Sequence, residues 1–225
     1  MTRATNARIA GFTFLFYIAT GISSLILFGR ATAGEGVAAK LSAIAVHPRV
    51  VGIVVILGLC QAFSALVLAV TLYAITREQD PDLAMLVLVC RGAEGVISGA
   101  GISRTLALVW LATDTGAGVD AGAAHALGAY LLRGDGTLTA TFFAVGSAVF
   151  SYLLLRGRMV PVSLAWLGVV ASVLLVVGLP LQLAGVLDGP IAGLMWLPML
   201  AFEVPLAFWL LIKGVAVPAR THEIL

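Results

Sequence analysis

Four charged residues stand inside long apolar stretches of this 225-residue sequence: Arg91, Glu94, Arg104 and Glu203. Arg91 and Glu94 are spaced i, i+3, so on a helix their side chains can meet. At about 100° per residue, Arg91, Glu94, Ser98, Gly101 and Thr105 share one stripe about 80° wide. Charges at bilayer depth are costly, face the protein interior and pair with one another. Two cations and two carboxylates can do that here. The same grouping can bind a polar ligand, pass a proton or supply a general acid. Arg104 is rotated roughly 90° from the stripe and lies about 10 Å beyond the midpoint of its helix, where it pairs separately or snorkels outward. Gln61 and Gln182 read as interhelical hydrogen-bond partners, with cavity lining as the alternative. His125 opens a short helix, either as an exposed loop histidine or as part of a lid over the polar interior.

The elements that must position these residues follow from composition. The chain is 61% hydrophobic and 11% charged, with a mean hydropathy of +1.10. Soluble domains carry roughly 25% charged residues, so an ordinary soluble enzyme is excluded, as is a disordered or fibrous chain. A net charge of +2 provides no basic face for nucleic acid. The two cysteines, Cys60 and Cys90, fall in apolar runs and read as small packing residues.

Six apolar runs, 9–28, 50–75, 83–112, 138–155, 160–183 and 191–212, are each long enough to approach or cross a bilayer. The sequence therefore predicts an all-α, polytopic membrane protein, one domain over 1–225, with six helices in an up-and-down bundle. The outer segment 113–137 begins as a Gly, Asp and Thr loop and carries a short extra helix over 121–132, ended by Gly134-Asp135-Gly136. Segment 30–49 holds a short apolar stretch ending at His47-Pro48. The first run resembles a secretory signal, but at about 20 residues it exceeds the roughly 7–15 of a signal core, so it is expected to remain as a span. Arg3, Arg8, Arg77, Arg156, Arg158, Lys213 and Arg220 fall on one side, against Arg30, Lys40, Arg49 and Arg133. That bias predicts both termini in the cytoplasm and insertion in the inner membrane.

Glycine and proline mark the charged helices. Gly95-xxx-Gly99 is the spacing that lets helices approach closely. Pro198 and Pro205 bracket Glu203, and each removes a hydrogen bond, tends to kink its helix and frees a carbonyl, with packing alone as the alternative, since proline is common in spanning helices. No metal site is expected: the inner-loop acids Glu78, Asp80 and Asp82 read as a solvated turn. No Walker loop, Gly-x-Ser-x-Gly or HExxH occurs, and no histidine pair suits haem. No cofactor is assigned.

Several segments together resemble a known family. They are Ala7-Arg8-Ile9-Ala10-Gly11, Leu72-Tyr73-Ala74-Ile75, Arg91-x-x-Glu94, Tyr152-Leu153-Leu154-Leu155-Arg156 leading to Pro161, and Phe202-Glu203 followed by Trp209-Leu210-Leu211-Ile212-Lys213-Gly214. In order and spacing the sequence resembles the bacterial membrane proteins grouped as domain of unknown function 4386. The resemblance covers nearly the whole chain and implies six spans, the Arg/Glu pair and the late Glu. It implies no activity. The outer segments and the Gly-rich stretch near Gly116 match least, so His125 inherits nothing from it.

Function is then expected at a charge-paired interior between the third and sixth spans. It would bind a small polar or amphipathic ligand for transport or sensing, with Arg91, Glu94, Arg104, Glu203, Ser98, Gln61 and His125 as candidate residues. One alternative is an intramembrane enzyme acting on a lipid or isoprenoid, with Glu94 or Glu203 as general acid. Another is a non-catalytic accessory or regulatory subunit with a solid interior. Apart from these, the charges also read as a structural ion-pair clamp that only holds the third and sixth helices together. Expected partners are the lipid bilayer, a small-molecule or lipid ligand and a second copy of the chain, with no nucleic acid.

Overall fold

The computed structural model describes residues 1–113, 120–133 and 136–216. The chain in these residues is all-helical. A bilayer core offers no water to backbone N–H and C=O groups, so a spanning segment bonds them internally as helix. The helices are α1 (Arg3–Ala31), α2 (Gly36–Val46), α3 (Pro48–Thr76), α4 (Pro81–Thr113), α5 (Ala121–Leu132), α6 (Thr137–Arg156), α7 (Val162–Leu183), α8 (Pro190–Leu194) and α9 (Leu197–Ile212). By length and apolar composition α1, α3, α4, α7 and the stretches Gly122–Arg156 and Pro190–Ile212 can each cross a membrane. This is a multi-pass membrane protein. Large apolar side chains such as Leu25, Phe63, Val96 and Val177 stand exposed on these helices, as a lipid solvent permits.

Local chemistry sets the helix ends. Pro48, Pro81 and Pro190 open α3, α4 and α8, where a missing N–H costs nothing. Asp80 caps α4, its Oδ1 accepting from the Leu83 N–H at 3.1 Å, while its Oδ2 accepts from Arg156 at 3.0 Å. Glu78 of the same turn pairs with Arg3. These acids therefore serve as a cap and as ion-pair partners, joining the ends of α1, α4 and α6. Asp120 caps α5 through the N–H groups of Gly122 and Ala123.

The structure differs from the sequence expectation at several points. The stretch before His47-Pro48 is a true helix, α2, stopped because the residue before a proline is pushed out of the helical region. The sixth run is two helices, interrupted at Met195 and Trp196. Pro198 lies in the first turn of α9 instead of kinking it. Pro205 is inside α9, but it lies on the exposed face with Ala201, the residue whose carbonyl it frees, while Glu203 lies on the buried face. The freed carbonyl and the carboxylate thus face apart. Parts of the outer loop (Gly116 and Gly134-Asp135 among them) and Arg220 lie outside the described residues.

The chain forms two compact units. The first comprises Met1–Phe16, Ser64–Gly95 and Thr137–Leu225; the second comprises Tyr17–Phe63 and Val96–Gly136. The first has an extensive apolar core that includes Phe14, Leu72, Phe143, Phe150, Leu175, Phe202 and Leu210. The second has a smaller one around Ala31, Ile44, Val51, Leu108 and Leu131.

Candidate functional site

The first unit holds three of the intramembrane charges. Arg91 and Glu94 lie one turn apart on α4, and Arg91 Nη1 sits 2.9 Å from Glu94 Oε2. Both side chains are 1% exposed. Arg91 is among the largest fully buried side chains of the protein. Its guanidinium carbon lies 4.9 Å from the centre of the Phe143 ring on α6 and 5.9 Å from that of Phe14 on α1. Arginine is weakly hydrated, planar and stacks on aromatic faces, so it tolerates this burial better than lysine would.

Gly146 makes room for the arginine stem. A Cβ placed on it would come within 3.1 Å of Cys90 Cβ and 3.4 Å of the Arg91 methylenes. The missing side chain lets α6 approach α4 where the cation runs between them.

Glu203 enters from α9, also buried, at 5% exposure. Its position is set by its neighbour Phe202, whose ring fills the space over Gly168 on α7. A Cβ on Gly168 would lie 2.5 Å from that ring and 2.6 Å from Ser151 Oγ. Arg91 and Glu94 both act electrostatically on Glu203. Arg91 nevertheless makes its ion pair with Glu94. Among the described residues Glu203 makes no ion pair within 4.0 Å. The three groups carry one positive and two negative formal charges, clustered in membrane-crossing helices.

A family model described as domain of unknown function (DUF4386) matches residues 9–214. The chain belongs to this family. No curated protein and no solved structure matches it. The DUF4386 match contains Arg91, Glu94 and Glu203, together with Phe14, Gly146, Gly168 and Phe202, which position them.

The remaining candidates of this DUF4386 chain belong to the second unit. Arg104 faces the Tyr130 ring of α5, its guanidinium carbon 5.9 Å from the ring centre. That gives it the separate partner its rotation on α4 required. The Gln61 amide lies against α1 at Gly21, where an added Cβ would be 2.7 Å from its Nε2. Ser98 is half-buried and His125 is exposed on α5. An added Cβ on Gly99 would make only ordinary contact with Ala62 Cβ, at 3.7 Å, so the helix approach there does not demand a glycine. Among the described residues no group of three His, Cys, Asp or Glu side chains is placed to hold a metal ion.

Phe14 and Phe143 were not visible as site residues in the sequence. An aromatic side chain in an apolar run reads as packing. Only the demand of Arg91 for a buried partner could have pointed to a ring.

Proposed function

We propose that the Arg91–Glu94–Glu203 cluster binds a small polar or amphipathic ligand for transport or sensing across the bacterial inner membrane, with both termini in the cytoplasm. Glu203 is the protonatable group, Arg91 its counter-charge or anion binder, and Glu94 the group that orients Arg91. The observation that carries this reading is Glu203 itself: a buried carboxylate on a membrane-crossing helix, beside a cation whose ion pair is with another residue. Within a low-dielectric interior an uncompensated charge is expensive. The surplus negative charge of the three groups is balanced by a proton or by a cationic part of a ligand.

A structural clamp is the second reading. It is favoured by the 1% exposure of Arg91 and Glu94 and by the two rings over the guanidinium. Labelling of Glu203→Cys, in a chain whose Cys60 and Cys90 are replaced by alanine, separates the two. Ligand access predicts reaction with a small, water-borne thiol reagent in reconstituted vesicles. Reaction only with a lipid-soluble maleimide would favour an enzyme open sideways to lipid. Reaction with neither, in a folded variant, would favour the clamp.

A further inference from the structure

We infer a second binding site, specific for an amphiphile whose phosphate head carries a net negative charge, in a groove where the α6–α7 connection meets the end of α9. The groove is open and shallow, has a volume of about 430 Å³ and is lined by Arg158, Val160, Pro161, Trp209, Lys213 and Val215, among others. Its two walls are tied by the Ala216 N–H, which donates to the Met159 carbonyl at 3.0 Å. Arg158 sits in the left-handed region at φ 47°, a costly conformation for a residue with a side chain. The turn it makes drives Met159 and Val160 into the core, at 1% and 5% exposure, and leaves Arg158 itself exposed at the groove.

The charge pattern of this region singles out the groove. Arg156, two positions before Arg158, pairs with Asp80, and Arg3 pairs with Glu78. Among the described residues Arg158 and Lys213 form no ion pair, and both line one concave surface. A guanidinium binds phosphate oxygens bidentately and an ammonium adds a mobile point charge. Beside them Val160, Pro161, Val215 and the half-buried Trp209 offer an apolar wall for the rest of the molecule. These residues lie at the ends of membrane-crossing stretches, the depth at which headgroups and tryptophan rings reside. The ligand is therefore anionic at one end and apolar at the other. A membrane phospholipid and a soluble phosphate compound share that head chemistry.

Calorimetric titration of the full chain in detergent micelles tests the site, using short-chain phosphatidylglycerol, short-chain phosphatidylcholine and inorganic phosphate. Phosphatidylglycerol binds more tightly than phosphatidylcholine, and Arg158→Ala with Lys213→Ala weakens it about 30-fold, the product of two surface cations. Both residues are exposed, so the double variant keeps its fold. Displacement of phosphatidylglycerol by inorganic phosphate supports the site and identifies a soluble phosphate as sufficient. Failure to displace it supports the site with a lipid as occupant. Equal affinity for the two lipids, or unchanged affinity in the double variant, overturns the proposal.

Discussion

Arg91→Met destabilises the protein by about 3–5 kcal/mol, the loss expected when one partner of a buried ion pair is removed and the other stays charged. The geometry makes this the most damaging substitution at the cluster. Without Arg91, Glu94 and Glu203 remain as two buried carboxylates, and the Phe14 and Phe143 rings lose the guanidinium they face. Glu94→Leu alone is milder, because the buried carboxylate of Glu203 acts electrostatically with Arg91. Arg91→Met combined with Glu94→Leu recovers much of the loss, since replacing both partners by apolar groups of similar volume is often neutral or better. Denaturant unfolding of the four proteins in one detergent measures the coupling. Losses that simply add would contradict an energetically linked pair.

Gly11→Val carries the second large effect, about 3 kcal/mol, at the upper end of the cost of overpacking. A Cβ on Gly11 would sit 2.6 Å from the carbonyl oxygen of Ala207 and 2.8 Å from the backbone nitrogen of Leu211. Backbone atoms of a helix cannot swing aside as a side-chain tip does, so α1 and α9 must separate. That displaces the helix bearing Glu203. Gly92→Ala is the control: a Cβ there meets nothing within 4 Å, and the change stays within about 0.5 kcal/mol. Thermal unfolding of the two variants against the parent checks the contrast. Equal midpoints for Gly11→Val and the parent would mean that the α1–α9 contact is not tight.

Much of the fold was legible because lipid leaves a spanning segment few alternatives to helix. The six apolar runs foretold the membrane-crossing elements. The start of the first moved by six residues, as α1 extends past the apolar run to Arg3. The pairing of Arg91 with Glu94 was legible for a related reason: spacing along one helix fixes which neighbours meet. Contacts between helices were not. Apolar residues occupy both the lipid-facing and the inward-facing sides, so composition does not reveal how a helix is rotated. For that reason Phe143 could not be distinguished from the exposed Phe12 or Phe63. The proline pair at Glu203 misled in the same way. Whether Pro198 kinks a helix or opens one depends on the interruption at Met195 and Trp196, which no strong breaker residue marks. Asp80 looked like part of a solvated turn because its partner, Arg156, is distant in sequence.

In the proposed function Glu203 exchanges a proton within the membrane-crossing helices while Arg91 and Glu94 stay paired. Infrared difference spectroscopy of the reconstituted protein across a pH sweep tests it most directly, by following the C=O stretch of a protonated carboxyl group. Proton exchange at Glu203 gives a carboxylic acid band in the parent that vanishes in Glu203→Gln, with the helical amide signal unchanged. Identical carboxyl spectra from the parent and Glu203→Gln would contradict it.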